Sequence, residues 1–435
     1  MRLALVALFS LFAPPAFADV LTLVGKLGDR DIQVELTQPV HGAVAGRYTF
    51  SDTGGDIPLV PVSHANNLWV LHEEAICGDD DCLLGDSGEV LEAPIAAVWE
   101  LRYDPKTYLA RGTRTAEGSK SKRQPLDLMV MAWRSFGESE TPTAAGLHDR
   151  SAIFGYRPDM PLDWSTAPYE MNLLDVPLEA GPAQALGSAS VHAVTDPRTR
   201  FAFPRVLSFD DGSPVEPANA ILADAHFRMS LSALDCLALQ YASYGVNSTY
   251  SIRGGFLGDY DSEQVELSYA SPQVLSWTES GSLWCTGAHP YNHIDSYSYD
   301  LKTGQRLDLG RLFTDWVPRE WGAAPDEIVD RETVAQAPDN YSWGPGPDLI
   351  AYVRDNFPPG LLYDDAEIDE ACYSDQALAD QLDIRLAPGP SVVFTANGFP
   401  HVISMCNGDL FTKPLAEVAH LLTPEAANYL PELRK

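Results

Sequence analysis

Between Trp284 and Phe313 the chain reads WCTGAHPYNHIDSYSYDLKTGQRLDLGRLF, and no other stretch restricts the fold as much. Tyr297, Tyr299 and Leu301 alternate with polar residues, Lys302-Thr303-Gly304 supplies a turn, and Leu307 and Leu309 alternate again. Period-2 alternation on both sides of a glycine-containing turn is the signature of a β-hairpin. The chain is therefore expected to contain an antiparallel sheet here, entered through the turn Gly287-Ala288-His289-Pro290.

The same logic applied along the chain gives two folded parts. From Leu21 to about Trp133 short strands follow one another, among them Gly46–Phe50, Ile57–Val62, Asn67–Leu71, Ala96–Leu101 and Leu126–Ala132, with Asp52-Thr53-Gly54-Gly55 as a tight turn. Residues 19–136 are expected to form a small all-β domain, a sheet or barrel. The Pro, Gly and polar content of 137–187 predicts an irregular linker. Residues 188–435 then predict an α+β domain with helices packed on an antiparallel sheet. Its strands are expected near Ser190–Val194, Pro204–Phe209, 249–256, 263–270, 273–284, Ile384–Leu386 and Ser391–Thr395, with the hairpin at 295–309. A helix over 219–239 would bury Leu222, Ala225, Met229, Ala233 and Cys236 on one face. Further helices are expected at 348–356 and from Pro414, proline being favoured in a first turn. The fold class is α+β, an N-terminal antiparallel domain followed by this second one.

Residues 1–18 read as a cleavable signal: Arg2, an apolar stretch from Leu3 to Phe12, and Ala16-Phe17-Ala18 before Asp19. The expected location is periplasmic or secreted, with no membrane span after signal removal. In an oxidising compartment Cys77, Cys82, Cys236, Cys285, Cys372 and Cys406 are expected to pair, though sequence cannot choose among the possible connectivities. With 29 Lys and Arg against 61 Asp and Glu the formal charge is −32, which disfavours nucleic acid and anionic lipid and speeds encounter with basic proteins or metal ions.

The corner at Gly287-Ala288-His289-Pro290, followed by its alternating strand and turn, resembles the C-terminal domain of RsiV-type anti-sigma factors. That domain is also found beside the catalytic domain of some peptidoglycan deacetylases, and the resemblance covers roughly 190–430. It departs from the family at Thr286, which stands where a glycine is usual. The resemblance implies extracytoplasmic binding of lysozyme; without a cytoplasmic domain or anchor, such binding would inhibit or sequester lysozyme rather than signal directly.

Catalytic readings are weaker. Gly85-Asp86-Ser87-Gly88 mimics a serine-protease nucleophile box, and Asp52-Thr53-Gly54 with Asp86-Ser87-Gly88 mimics an aspartic-protease pair. Gly, Asp and Ser are ordinary turn residues, and turn chemistry explains both. His289 and His293 have the spacing of a metal pair, but that spacing converges only on a helix, and Pro290 argues for turn then strand. The plainer account has His289 bonding the turn backbone and packed by Tyr291. Asp79-Asp80-Asp81 between Cys77 and Cys82 lacks the spaced acids and glycine of a calcium loop. Neither a cofactor nor a metal is expected.

Aromatic residues crowd the hairpin and the segment after it. The binding residues expected are His289, Tyr291, His293, Trp316, Trp321 and Trp343, because aromatic anchors mark interfaces and the prolines and glycines of 314–347 argue against regular core elements. The resulting expectation is an exported, non-enzymatic binding protein whose partner is lysozyme, another cell-wall hydrolase or peptidoglycan. A cell-wall hydrolase and a structural envelope module are the alternatives.

Overall fold

A computed structural model describes residues 18–38, 44–65, 67–77, 82–86, 90–118, 122–136, 143–149, 163–244, 255–285, 289–363 and 365–434. The signal segment up to Phe17, the Asp79–Asp81 acids, Ser87-Gly88 and Gly287-Ala288 lie outside the described residues, as does most of the expected strand 249–256. The chain divides into two compact units, residues 1–175 with 237–252, and 176–236 with 253–435.

The first unit is built on a closed barrel of eight antiparallel strands: β1 Ala18–Leu27, β2 Arg30–Gln38, β3 Gly46–Phe50, β4 Ile57–Ala65, β5 Leu68–Glu74, β6 Ile95–Asp104, β7 Leu109–Ala116 and β8 Arg123–Phe136. Each strand pairs with the next, and β8 closes on β1. Closure removes the unpaired edges that would otherwise invite aggregation. Alternation sets the faces. Along β6, Ala97, Trp99, Leu101 and Tyr103 are buried in one cluster with Val34, Tyr48, Trp69 and Leu128. Trp69 stacks on Tyr103 at 5.0 Å and Tyr48 meets Trp99 at 4.8 Å. An eight-stranded barrel is just wide enough to be filled by such side chains.

Outside that cluster, on β2 and β3, sits a charged hub. Glu35 and Arg47 are register partners and both are fully buried. Arg47 donates to Glu35 at 2.7 Å, to Asp56 at 2.9 Å and to Glu170 at 2.6 Å, with its guanidinium 4.0 Å from the Tyr169 ring centre. Tyr169 and Glu170 come from the helix Pro168–Leu174, and His148, in Ala144–His148, reaches Asp56 at 3.0 Å. The described part of residues 137–187, expected to be irregular, thus contains the helices Ala144–His148 and Pro168–Leu174 and the short strands Glu179–Ala180 and Gln184–Leu186; the division between units falls after Asp175. The prolines that suggested a linker include Pro168, which occupies a first helical turn.

The second unit is α+β. Ala189–Thr195 pairs with Ala202–Phe209, and Gln264–Ala270, Val274–Leu283 and Tyr291–Asp300 form a meander extended by Gln305–Arg306. A third sheet contains Leu382–Ala387, Ser391–Ala396 and Gly408–Pro414. Its core joins Val274, Phe313, Trp316, Val353, Leu378, Phe394 and Leu410. The long helix spans Glu216–Ala238; Leu222, Met229, Ala233 and Cys236 are buried as its period required, and Ala225 is half-buried. The three disulfides join Cys77 to Cys82, Cys236 to Cys285 and Cys372 to Cys406. They fit an extracellular protein. Among the described residues no helix is long and apolar enough to cross a membrane.

Two local expectations are corrected. The hairpin's first strand begins at Tyr291, while its return strand is only Gln305–Arg306, because Asp308 caps a short helical turn at Leu309–Leu312. Pro414 ends a strand instead of entering a long helix, and the chain after it holds only short α-helical turns, Leu415–Val418 and Ala426–Tyr429, among the described residues.

Candidate functional site

The strand Tyr291–Asp300 projects Tyr291, His293, Asp295, Tyr297 and Tyr299 at alternate positions, so all five share a face. The neighbouring strand faces them with Gly281 opposite His293, Glu279 opposite Asp295 and Trp277 opposite Tyr297. Trp277 is buried and stacks on Tyr297 at 5.1 Å and Tyr299 at 5.4 Å. This ladder of rings packs the half-buried Tyr297 and Tyr299 against the buried Trp277.

His293 is buried between two carboxylates. Asp295 lies 2.8 Å from Nδ1, and Glu263 lies 3.2 Å from Nε2. Gly281 makes room for this arrangement, since any Cβ there would collide with the Glu263 carboxylate. Burial opposes a charge on His293, but hydrogen bonds and charges from Asp295 and Glu263 outweigh it and raise the imidazolium pKa to about 9. Burial, aided by the charges of Glu263 and Asp295, pushes Glu279 up to about 7, against the Trp277 indole N–H that donates to it at 2.8 Å. Tyr291 stacks on His293 at 4.7 Å while remaining exposed, and burial with Asp295 raises its phenol to about 12. A histidine held as a cation, with both nitrogens donating, has no lone pair with which to act as a base or bind a metal.

His289 and His293 do not meet at a common ligand. The His289 ring stacks on His401 with centres 4.6 Å apart, so the expectation that Tyr291 packs against it is corrected: Tyr291 covers His293. Among the described residues no group of three or more His, Cys, Asp or Glu is arranged to hold a metal ion. The protease mimics fare similarly. Asp52 is exposed and bound by Arg30, whose hydrogen bond holds its carboxyl below the ordinary range, and Asp86 is exposed, where a dyad would need both buried.

The aromatic set after the hairpin separates. Trp316 is a core residue, packed so tightly on Gly310 that no Cβ fits there. It is not a surface anchor, because 314–347 contains the paired strands Trp316–Glu320 and Tyr341–Pro345 and the helix Arg331–Gln336. Trp343 is half-buried between the guanidinium groups of Arg311 and Arg331, at 4.3 and 5.5 Å. Trp321 is 73% exposed.

A surface that the sequence reading passed over lies on the helices Ala366–Tyr373 and Asp375–Gln381 and on His401–Cys406. From Asp355 to Asp383 the chain has nine acidic residues and no Lys or Arg. Asp355, Asp365, Glu367, Glu370, Asp375 and Asp380 are exposed. Beside them Leu362, Tyr363, Val402 and Met405 are exposed apolar residues, and the Tyr363 hydroxyl donates to the Met405 carbonyl at 3.1 Å. The Cys372–Cys406 bridge ties the two segments, and His401 connects the surface to His289. The signal available in the sequence was that one-signed acidic run.

No protein-family model and no curated protein matches this sequence.

Proposed function

We propose that the chain is an exported binding protein of the bacterial envelope, periplasmic or secreted, whose partner is a basic protein, with lysozyme the first candidate. The observation that carries this reading is the acidic surface over 355–383 with exposed apolar side chains at its edge. Binding surfaces combine apolar anchors with a polar rim, and opposite charge selects the partner and speeds encounter. His289, a residue of the motif that carries the resemblance, stacks on His401 beside this surface, which supports lysozyme as the first candidate. The locked His293 cation supports a scaffold role for the hairpin over general-base chemistry.

The test is titration calorimetry of the full chain with lysozyme at low salt, alongside pull-down on purified peptidoglycan sacculi. A one-to-one complex with lysozyme is expected. Binding to sacculi with none to lysozyme would transfer the role to cell-wall glycan, and binding to neither would end the proposal.

A further inference from the structure

The acidic surface contains a cleft of about 810 Å³ whose chemistry is more specific than its charge. Phe357, Leu362, Ala366 and Tyr373 are its apolar lining, Asp355, Asp369, Glu370 and Asp375 its acids, and Arg354, offset by Asp375, its one cation. The aromatic rings are arranged together: Phe357 meets Tyr373 edge-on at 5.5 Å, and Tyr363, beside the cleft, stacks on Tyr373 at 6.5 Å. Two acids are already occupied. Asp369 accepts the Tyr363 backbone N–H at 2.8 Å, and Asp375 pairs with Arg354 at 2.6 Å. Asp355 and Glu370 make no ion pair among the described residues, and both are exposed.

Aromatic faces attract cations through their quadrupoles, and a nearby carboxylate adds a charge-assisted hydrogen bond. An anion would meet repulsion here, and a purely apolar group would gain nothing from the two exposed carboxylates. We propose that this cleft receives a Lys or Arg side chain from the surface of a basic protein, with Val402 and Met405 covering apolar surface next to that residue. The inference rests on the binding reading above and specifies where its central contact falls. The aromatic lining binds the alkyl stem and the cationic head, and Asp355 and Glu370 complete the head's hydrogen bonds.

The experiment compares the full chain with the double variant Asp355→Asn/Glu370→Gln and with a charge-matched control, Glu320→Gln/Glu332→Gln, which alters exposed acids away from the cleft lining. A fluorescent oligolysine peptide and lysozyme serve as separate probes. The cleft variant is expected to bind each probe about tenfold more weakly than the control does. Tyr363→Ala should weaken both probes as well, and circular dichroism of each variant checks that the fold is kept. Equal weakening by the cleft and control pairs would overturn the inference, because charge alone would then explain binding. Free lysine amide matching oligolysine per site would overturn the assignment to a protein side chain in favour of a small amine. If lysozyme fails to bind the wild type while oligolysine still distinguishes the two variants, the lysozyme reading falls and the cleft assignment stands.

Discussion

Single residues carry the electrostatics of both units. Arg47 is surrounded by Glu35, Asp56 and Glu170, and burial opposes its charge while those carboxylates more than restore it. Removing one partner of a buried ion network strands the others, so Arg47→Met is expected to cost about 3–5 kcal/mol, read by urea denaturation of the first unit. A loss under 1 kcal/mol would show that the carboxylates take up protons at little cost. Glu279 and His293 give the second unit its pH dependence. Both have folded pKa values above the ordinary ones, about 7 against 4.5 and about 9 against 6.5. A group that holds its proton more tightly when folded stabilises fully below its unfolded pKa, and that contribution is lost as pH rises through the folded value. Glu279 therefore weakens the unit between about pH 4.5 and 7, and His293 between about 6.5 and 9. His226 works oppositely: burial and Arg205 lower it to about 4, so its contribution is lost as pH falls below 6.5. Glu279→Gln keeps an acceptor for the Trp277 indole and removes the ionisation. It should stabilise the protein by up to about 3 kcal/mol at pH 8 and leave it unchanged at pH 4. Denaturation at the two pH values decides; a destabilised variant at pH 8 would mean that the Glu279 anion helps the fold.

At the scale of elements, local patterns that repeat were legible and long-range partners were not. Short alternating or apolar runs located Gly46–Phe50, Ala189–Thr195 and Val274–Leu283, whose buried residues fall on both faces of each strand. It missed the helices Ala366–Tyr373 and Asp375–Gln381, whose acidic residues hide a short apolar stripe of Cys372, Tyr373, Leu378 and Ala379. Trp316 was misjudged for a related reason. Its burial depends on Gly310 and on a strand partner near Pro345, neither visible in its own neighbourhood. His293 was legible as a special position, but Glu263, which with Asp295 favours its charge, lies 30 residues earlier in another strand's approach. The Cys236–Cys285 bridge is likewise a long-range fact with a local footprint: Gly258 has φ +64°, and a Cβ there would strike both sulfurs. A bridge closing a 49-residue separation is expected to stabilise by about 4 kcal/mol. Cys236→Ser/Cys285→Ser should lower the denaturation midpoint accordingly, without changing the midpoint of the barrel if the units unfold separately. A variant as stable as the parent would show that the packing around Gly258 suffices without the bond.

For the whole molecule, the excess of 61 acids over 29 bases acts at a distance that no single contact reaches. Field effects of this kind change the rate at which an oppositely charged partner arrives, and screening shortens their range to about 8 Å at physiological salt. In the proposed complex, short-range contacts at the cleft would instead decide how long it lasts, because desolvated pairs and aromatic packing are screened little. The two contributions are separable. Raising ionic strength from about 0.01 M to 0.15 M should slow association with lysozyme by an order of magnitude or more while changing dissociation only a few-fold. Substitutions at Asp355 and Glu370 should do the reverse, speeding dissociation more than they slow association. Surface plasmon resonance with lysozyme immobilised measures both constants directly. If salt acted mainly on dissociation, the bound state would be held by exposed ion pairs across the acidic face. The aromatic cleft would then contribute little to retention, even if the partner were correctly named.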